Sequence, residues 1–593
     1  MVITNSLDEL REYLSDRDFI AYSGRIETFL FDPAKKTLPV SCRVEKYQNR
    51  LGETMVALSR ALRWGAGVNV ILDDFRTPTP VRGVGGMKLA VYLDPTHPDF
   101  EAFRNTVTLN SDVLTLLSPD QYRNKNAIFP SLEVLDSMEP DPSDAYDGSS
   151  YSIEQSWEAL ITYIELGESP IVNLTRLRPS GTQNRNGLLA SGPASFLLIY
   201  AQIFRYLTTG TLSNLMRTFS YLCEVLRRGG TYKNGIITYS LDYTSPYIHE
   251  YLDFDLTTLP GGSKQGVRLD KGVLEDRDLC AKIVDCMNTK SLFTEKKSSD
   301  PTLYSQVCRE ILMKNQGSCL IVNTNAGRLR TIADIVQALS DTTEFACRLH
   351  YAWRDYVPAN QRRLYLPVDE DRQVGVGWIG WANFLAAQKM TYQDHVLGLE
   401  GDPSASAKSL ELAAALREAY HAAAEVAASY SLDRAFTMAP TQRLWTDERN
   451  KDLAGNYACR SIDPPFGVRE RRRSETQSSG DKIFYHGRVQ TMSDVGHAWH
   501  QRHWEAWMRI MTSTGMAHTM SFDLWREADM DWFWDYMTRS PLQTTYYVFR
   551  QAAAQNQPSQ QFANKGVIRI AQSIAPNSEV CDLGADDCAA CGN

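Results

Sequence analysis

The sequence predicts an α/β protein, because the chain is long and helical segments alternate with strand-like segments along it. At 593 residues it exceeds the size that one hydrophobic core supports, so we expect one large domain with appendages, or several domains. Apolar residues recur at helical spacing over residues 153–166, residues 171–174 form a short apolar run typical of a strand, and residues 193–206 are again apolar and helical. This alternation favours an α/β architecture.

Further elements follow from local composition. Residues 407–430 are rich in Ala, Leu and Glu with helical periodicity and predict a long helix, whereas residues 140–148 and 474–481 predict loops. The long helix carries Glu418 and His421 as one Glu-x-x-His motif. Because a di-iron carboxylate site needs two such motifs and further carboxylates, we interpret both residues as solvated helix positions.

Composition bounds the class of function. A net charge of −9 and 43% hydrophobic residues give no general reason to expect nucleic acid or an anionic membrane as a partner. The first 30 residues are too charged for a secretory signal, and the most apolar stretch, residues 188–204, is interrupted by polar residues, Gly and Pro. We therefore expect a cytoplasmic protein with no membrane span.

The cysteines point to redox chemistry. Eleven cysteines in a chain without a secretory signal predict reduced thiols, and three of them, Cys581, Cys588 and Cys591, lie in the last thirteen residues. The segment from Gln551 onward is rich in Gln, Ala, Asn and Ser, which predicts a mobile tail. A mobile Cys588-Ala-Ala-Cys591 favours redox delivery; half of a zinc site or a cysteine-rich end without a role are the alternatives.

The sharpest local feature joins two cysteines and a carboxylate. Cys308 and Glu310 are two residues apart and would share a face in extended chain, so a sulfur and a base could address one substrate. Cys319 follows closely. Alone this pattern is weak, because a buried cysteine is usually a small core residue.

The order of several motifs resembles the large subunit of ribonucleotide reductases over roughly residues 126–591. Besides the Cys308 and Cys319 segments, the matching stretches are residues 172–181, 191–196, 227–230, 374–380, 438–441, 461–465 and 544–547 and the cysteine tail. Each stretch is modest alone, but their shared order is specific.

This resemblance implies a ten-stranded α/β barrel with a central finger loop, a helical N-terminal region and a flexible C-terminal tail. Residues 1–125 would form the N-terminal region, residues 126–557 the catalytic barrel and residues 558–593 the redox tail. The family's separate N-terminal domain that senses ATP has no match in residues 1–125, so control of overall activity by dATP at such a domain is not expected.

The resemblance also implies roles for individual residues. Cys308 would carry the thiyl radical, Glu310 would be the general base, and Gln306 stands where the family usually has Asn. Cys319 would be half of the pair of thiols that supplies two electrons. Cys588 and Cys591 would reduce that pair again, with thioredoxin or glutaredoxin as the external reductant.

The partner of Cys319 departs from the family pattern. The family's cysteine lies on the first barrel strand, yet residues 129–134 contain none. Cys42, at the end of Leu38-Pro39-Val40-Ser41-Cys42, resembles that strand motif, and we adopt it as the partner, leaving a core thiol as the alternative. A disulfide requires the two Cα atoms to lie within roughly 7 Å.

Nucleotide sites follow from the same resemblance. Residues Ala439, Pro440, Thr441, Gln442 and Arg443 would hold the substrate phosphates, together with the helix start at Ser191 and Gly192; an ordinary proline turn is the alternative. Lys264 and Arg268 resemble the loop that connects a dNTP or ATP effector at a homodimer interface to the active site; a basic solvated loop is the alternative.

In the context of the resemblance, adjacent Tyr546 and Tyr547 predict the source of the radical; a strand with two aromatic residues at core positions is the alternative. Class I members of the family keep such a pair, because a separate small subunit holding a metal cofactor generates the radical. We therefore expect no cofactor or metal in this chain and a ribonucleoside diphosphate as substrate, although a triphosphate stays open. The alternatives are an adenosylcobalamin-dependent (class II) reductase and a non-catalytic nucleotide-binding homologue.

Overall fold

The structure is a computed structural model. It describes residues 6–32, 37–78, 86–124, 150–168, 170–182, 191–226, 236–256, 259, 263–290, 292–309, 311–357, 359–436, 448–459, 461–465, 467–472, 482–511, 517–521 and 544–549.

The chain divides into two compact units. The first comprises residues 1–32, 38–44 and 264–593, and the second comprises residues 33–37 and 45–263. The second unit is therefore inserted between an N-terminal part and the rest of the first unit.

The first unit begins with four elements and resumes after the second unit. The early elements are α1 (Leu7–Ser15), β1 (Ile20–Tyr22), α2 (Gly24–Phe31) and β2 (Cys42–Lys46), whose last two residues belong to the second unit. The later strands are β8 (Lys264–Leu269), β9 (Phe293–Lys296), β10 (Tyr304–Ser305), β11 (Leu312–Met313), β12 (Ser318–Cys319), β13 (Ile321–Asn325), β14 (Gln373–Ile379), β15 (Asp433–Phe436), β16 (Arg469–Arg472), β17 (Lys482–Tyr485), β18 (Ala517–Ser521) and β19 (Thr544–Phe549). The later helices are α10 (Arg277–Lys290), α11 (Asp334–Ala352), α12 (Trp381–Ala387), α13 (Tyr392–Glu400), α14 (Ala407–Ser429), α15 (Met492–Val495) and α16 (His497–Met511).

Two sets of strands organise the first unit. Strands β13, β14 and β15 are parallel neighbours, and β1 pairs antiparallel with the outer side of β13. Strand β8 is parallel to β9, β19 is antiparallel to β9, and β18 is parallel to β19. Strand β14 is buried along nearly its whole length, and Gly375 within it lets Ile311 and Ile321 approach closely: a Cβ there would lie 2.9 Å from each side chain.

The second unit alternates helices and strands. Its elements are α3 (Leu51–Arg63), β3 (Gly67–Ile71), β4 (Leu89–Tyr92), α4 (Phe100–Leu109), β5 (Leu114–Leu116), α5 (Pro119–Asn124), α6 (Ser150–Glu165), β6 (Ile171–Asn173), α7 (Gly192–Thr209), α8 (Leu212–Val225), β7 (Ile237–Asp242) and α9 (Ile248–Asp253). Strand β3 is parallel to β7, and β4 lies between the parallel strands β5 and β6. A buried ion pair at 2.9 Å between Arg60 and Glu154 ties α3 to α6.

The structure confirms the mixed α/β class and the predicted elements that it describes. The helices expected over residues 153–166, 193–206 and 407–430 are α6, α7 and α14, and the strand expected at residues 171–174 is β6. Glu418 and His421 lie on the exposed face of α14, as predicted. The loops predicted at residues 140–148 and 474–481 lie outside the described residues.

Two fold predictions need qualification. The N-terminal region is not helical throughout, because buried apolar runs such as Leu89–Tyr92 form strands between its helices. The pairings of the described strands do not close a ten-stranded barrel. Among the described helices, none combines the length and the apolar character needed to cross a membrane.

Candidate active site

The Cys308 segment is the tip of a short hairpin. Strands β10 and β11 pair antiparallel, Tyr304 opposite Met313 and Ser305 opposite Leu312, so the six residues from 306 to 311 form the connection. The Gln306 N–H donates to the Ile311 carbonyl at 2.9 Å and closes the loop. Cys308 is fully buried at this tip. The expected finger loop therefore has a structural counterpart at residues 304–313.

The tip is a tight turn and not extended chain. The Arg309 N–H donates to the Gln306 carbonyl at 3.0 Å, and Arg309 has a φ of 69°, a left-handed conformation that costs a non-glycine residue energy. The argument that placed Cys308 and Glu310 on one face of an extended segment is therefore wrong in its premise, because the chain reverses here. Glu310 itself lies outside the described residues.

The Arg309 side chain anchors this turn. Its guanidinium is fully buried and pairs with the buried Glu295 of β9, Nη1 to Oε2, at 3.2 Å. The guanidinium also lies 5.9 Å from the ring centroid of Phe293. On β8, a Cβ on Gly266 would lie 2.6 Å from the Arg309 Nη2 atom. A buried ion pair and a close-fitting glycine thus hold the strained residue next to Cys308.

Two buried acceptors near this turn have no hydrogen-bond partner within the described part of the chain. They are Oε1 of Gln306 and Oε1 of Glu295, and both side chains are buried. The other end of the Gln306 amide, Nε2, lies 3.9 Å from Cys319 Sγ, at the limit of a weak N–H···S hydrogen bond. A bound polar ligand would supply hydrogen-bond partners for these two oxygens.

Cys42 and Cys319 lie directly opposite each other. Strand β2 pairs antiparallel with β12, and the register places Cys42 against Cys319 and Arg43 against Ser318. Opposed residues in an antiparallel pair have Cα atoms about 4.5–5.5 Å apart, within the range that a disulfide requires. Both thiols are buried. A cysteine from the start of the chain thus meets the geometric condition for pairing with Cys319.

Cys308 itself takes part in a disulfide, whose other half is not among the described residues. A thiyl radical forms on a free thiol. A radical role for Cys308 therefore requires that this disulfide be opened first.

The opposite face of β12 is held by a carboxylate. The Ser318 N–H and hydroxyl both donate to Asp371, which also pairs with Arg354 at 2.7 Å. Burial raises the pKa of Asp371, against the opposing effects of Arg354 and Ser318. The buried His350 lies 2.6 Å from the Asp371 carbonyl oxygen through Nε2, and burial keeps its pKa well below the usual range. These contacts fix β12 and so the position of Cys319.

The Lys264–Arg268 segment is a strand and not a loop. It forms β8, in which residues 265–267 are buried, because Gln265, Gly266 and Val267 pack into the interior of the first unit. The Arg268 guanidinium lies 5.0 Å from the ring centroid of Tyr304, the first residue of β10. The segment thus contacts the hairpin of β10 and β11 through Arg268 and Gly266.

Ser191 and Gly192 lie in the second unit, at the start of α7. Gly192 has a φ of 78°, and a Cβ there would lie 2.5 Å from an Asp99 carboxylate oxygen, so the position requires glycine. The Ser191 hydroxyl donates to the Val225 carbonyl at 2.6 Å and does not cap the helix. Pro193, the second residue of this 18-residue helix, has no N–H to donate to an anion, and the Asp99 carboxylate lies beside the helix start.

The tyrosine pair is described in its backbone only. Tyr546 and Tyr547 belong to β19, whose Thr544 lies opposite Glu295 on β9. The register with β18 shifts between His518 and Thr519, so that Thr519 faces Tyr547 and Tyr546 is the extra residue of a bulge. The phosphate residues 439–443 and the tail cysteines Cys588 and Cys591 lie outside the described residues.

Sequence reasoning missed three residues of this region. Glu295, Arg309 and Arg25 are buried charges near the cysteines. A possible signal was that Arg309 stands between two residues of the candidate site, but nothing in the sequence connected it with Glu295. In the described part of the chain, no group of three or more His, Cys, Asp or Glu side chains could hold a metal ion.

Comparison with known proteins agrees with this geometry at the level of the fold. No family model matches the chain, and no curated protein matches its sequence. Among solved structures it is similar to a B-12 dependent (class II) ribonucleotide reductase, with a TM-score of 0.60 and 12% identity over 95% of this chain and 87% of that chain. It is also matched to the class Id ribonucleotide reductase alpha subunit of Actinobacillus ureae, with a TM-score of 0.48 and 12% identity over 92% of this chain and 89% of that chain.

The first of these similarities shows that the chain has the fold of a ribonucleotide reductase. It covers nearly the whole of both chains, and it confirms at this level the resemblance that the order of motifs indicates.

Proposed function

We propose that this chain is the catalytic subunit of a ribonucleotide reductase. The observation that carries the proposal is the register of β2 and β12, which sets Cys42 against Cys319. Gln306, which stands two residues before Cys308, reaches toward the same pair. A buried thiol pair beside a third buried cysteine is what radical reduction of a ribose needs, and the reductase fold supports this interpretation.

The proposed reaction balances as follows. The Cys308 thiyl takes the 3′ hydrogen atom of the ribose, Glu310 accepts the 3′-hydroxyl proton, and the 2′-hydroxyl leaves as water. Cys42 and Cys319 give two electrons and two protons and close to a disulfide: one proton leaves with the 2′-hydroxyl as water and the other becomes the new hydrogen at C2′. Glu310 returns its proton to the 3′ oxygen. Cys308 then returns the hydrogen atom to C3′ and regains its radical. Gln306 orients the ribose through its unpartnered Oε1.

The remaining parts of the site are proposed from the family resemblance. Residues 439–443 and the N-terminus of α7 at Ser191 and Gly192 hold the substrate phosphates, and Lys264 and Arg268 respond to a dNTP or ATP effector in a homodimer. Cys588 and Cys591 reduce the Cys42–Cys319 disulfide, and thioredoxin or glutaredoxin reduces the tail. The strands complete the ten-stranded barrel.

The radical enters from outside this chain. We propose a class I mechanism, in which a small subunit supplies it through Tyr546 and Tyr547. In support, β19 pairs with β9, whose Glu295 holds the Arg309 that follows Cys308. The second candidate, supported by the similarity to a B-12 dependent reductase, is a class II enzyme that takes adenosylcobalamin.

One assay tests the function and separates the two candidates. The reduced protein is given CDP or CTP and an effector, with a class I small subunit or with adenosylcobalamin, and dCDP or dCTP is measured. We expect product with CDP and the small subunit, and none from Cys308→Ala. A matched control is Cys347→Ala, which removes another buried thiol of the first unit and should keep full activity. Product with adenosylcobalamin alone would establish the second candidate. Absence of product under every condition from a folded wild-type protein would contradict the reductase proposal.

A further inference from the structure

Arg25 is a buried cation beside the Cys42 strand. It belongs to α2, is 4% exposed, and through Nη1 donates to the carbonyls of Val40 and Ser41, both at 2.9 Å. These two residues directly precede Cys42, so the guanidinium is fixed next to the start of β2. Its Nη2 atom is buried and has no hydrogen-bond partner in the described ranges.

Arg25 interacts electrostatically with Cys42 and Cys319. Burial lowers the pKa of Arg25 to about 10, so the side chain is still protonated at neutral pH, and the Cys42 and Cys319 sulfurs oppose this lowering. A buried charge is normally balanced by a partner of opposite sign. The sulfurs of Cys42 and Cys319 can act as such partners only as thiolates, and their charge opposes the lowering of the Arg25 pKa by burial.

We propose that Arg25 is a positioning residue that holds a positive charge beside the Cys42–Cys319 pair and stabilises its thiolate form. This inference rests on the proposed function, in which the pair cycles between dithiol and disulfide. Stabilising the reduced form makes a disulfide a stronger oxidant, and it also makes the corresponding sulfur a better leaving group when an external thiolate attacks. Arg25 therefore eases the step in which the pair is reduced again after each turnover.

Other charged groups around the pair do not replace Arg25. Arg43 and Ser318 are the next residues on the two strands and therefore project to the opposite face. The Arg43 guanidinium lies 5.3 Å from the ring centroid of Tyr365 on that side. The Asp371 carboxylate is bound to Ser318 and balanced by Arg354. Gln306, which contacts Cys319, is neutral.

The test is a redox titration of the pair with mixtures of dithiothreitol and its cyclic disulfide, read out by mass spectrometry of differentially alkylated Cys42 and Cys319. In each exchange the protein disulfide accepts two electrons and two protons from the dithiol. Wild type is compared with Arg25→Gln, which keeps an amide donor for the Val40 and Ser41 carbonyls but loses the charge, and with Arg25→Lys, which keeps the charge.

At pH 8.5 we expect the equilibrium constant for reduction of the Arg25→Gln disulfide to fall about tenfold, a shift of about 30 mV to more negative potential. Arg25→Lys should move by less than half of that. At pH 6, well below the ordinary value of about 8.5 for a cysteine, the charge at position 25 should no longer matter and the three potentials should converge. A purely structural role would not produce this dependence on pH.

Three outcomes would overturn the inference. One is an Arg25→Gln potential equal to wild type at pH 8.5, another is an equal shift in Arg25→Lys, and the third is a shift that persists at pH 6. If Arg25→Gln does not fold, the wild-type protein still decides, because alkylation of Cys319 should be half-maximal below pH 8.5, the ordinary value for a cysteine. A different result would contradict the proposed function itself: no Cys42–Cys319 disulfide would form at any ratio of dithiothreitol to its cyclic disulfide.

Discussion

Two buried polar regions of the first unit differ in how their hydrogen-bonding groups are used. The first is an aromatic cluster formed by β14, α12, α13, α14 and α16. The Tyr420 hydroxyl accepts hydrogen bonds from Trp378 at 3.0 Å and Trp507 at 2.7 Å, and the Trp381 indole donates to His395 at 3.2 Å. The rings of Trp381 and Trp507 are 4.7 Å apart. Every indole N–H in this cluster has an acceptor.

The second region is the hairpin of β10 and β11 together with β9. Here Arg309 holds a left-handed backbone conformation, while Gln306 and Glu295 each keep a buried oxygen without a described partner. Buried polar groups therefore have two different roles in these two regions. In the aromatic cluster the Tyr420 hydroxyl and the indole N–H groups are hydrogen-bonded and stabilise the fold, although Nδ1 of His395 is buried there without a described partner. Under the proposed function, the two buried oxygens at the hairpin are available for a ligand at some cost in stability.

The largest expected effect is on activity alone. Cys308→Ser keeps the size of the residue but cannot carry a thiyl radical, so nucleotide reduction should be abolished. Measured on reduced protein, in which the Cys308 disulfide is open, the thermal midpoint should stay close to that of wild type, because serine leaves the Arg309 anchor in place. Nucleotide reduction by Cys308→Ser would contradict the radical role of Cys308. Loss of its fold would mean that the hairpin, like the aromatic cluster, contributes mainly to stability.

Breaking the anchor should affect both stability and activity. Arg309→Met leaves the Glu295 carboxylate buried without its partner, which should cost about 3–5 kcal/mol of unfolding free energy. Denaturant unfolding measures this loss. The double variant Glu295→Met with Arg309→Met removes both charges and should recover most of the stability but not the activity. If the single variant were as stable as wild type, the ion pair would not anchor the turn.

Acid should destabilise the protein through the aromatic cluster. Burial lowers the pKa of His395 to about 3, whereas an unfolded histidine titrates near 6.5. Between these values the unfolded state binds a proton that the folded state does not, so stability is complete above pH 6.5 and falls as the pH drops toward 3, by at most about 1.4 kcal/mol per pH unit. The unfolding free energies of wild type and His395→Gln should differ by a constant amount above pH 6.5 and approach each other as the pH falls toward 4. A difference that stays constant over the whole range would show that His395 is not responsible.

A smaller effect is expected at the centre of the aromatic cluster. Tyr420→Phe leaves the Trp378 and Trp507 indoles without their acceptor, which should cost about 1–3 kcal/mol. Nucleotide reduction per folded molecule should be unchanged. A specific loss of turnover in this variant would mean that the cluster also takes part in the chemistry.

The smallest effect on stability is expected at Gln306. Gln306→Leu removes an oxygen that has no described partner, so unfolding free energy should change by less than about 1 kcal/mol. Turnover should nevertheless fall, chiefly through weaker binding of the ribose, which a comparison of KM with kcat would reveal. Gln306→Asn, which keeps the amide, should retain part of the activity. Equal activity in Gln306→Leu and wild type would contradict a role of the Gln306 amide in binding the ribose.

The sequence predicted those parts of the protein that depend on local pattern. The helix over residues 407–429 follows from its alanine-rich periodicity, and Cys42, Cys308 and Cys319 were singled out from motif order. The register that opposes Cys42 to Cys319 is a long-range pairing that no local pattern contains. The Glu295–Arg309 ion pair is likewise a long-range contact that no local pattern contains, and it stabilises the turn only when both side chains are buried. The prediction of a loop at residues 264–268 relied on the two charged residues, Lys264 and Arg268. The three residues between them are buried, and the segment is a strand.

One measurement addresses the central claim directly. Reduced protein, freed of small thiols and unable to use its tail because Cys588 and Cys591 are both replaced by Ala, is allowed a single turnover of ribonucleotide with its radical source, and disulfides are then mapped. We predict one Cys42–Cys319 disulfide for each deoxyribonucleotide formed. Deoxyribonucleotide formed while Cys42 and Cys319 both remain thiols would contradict the account.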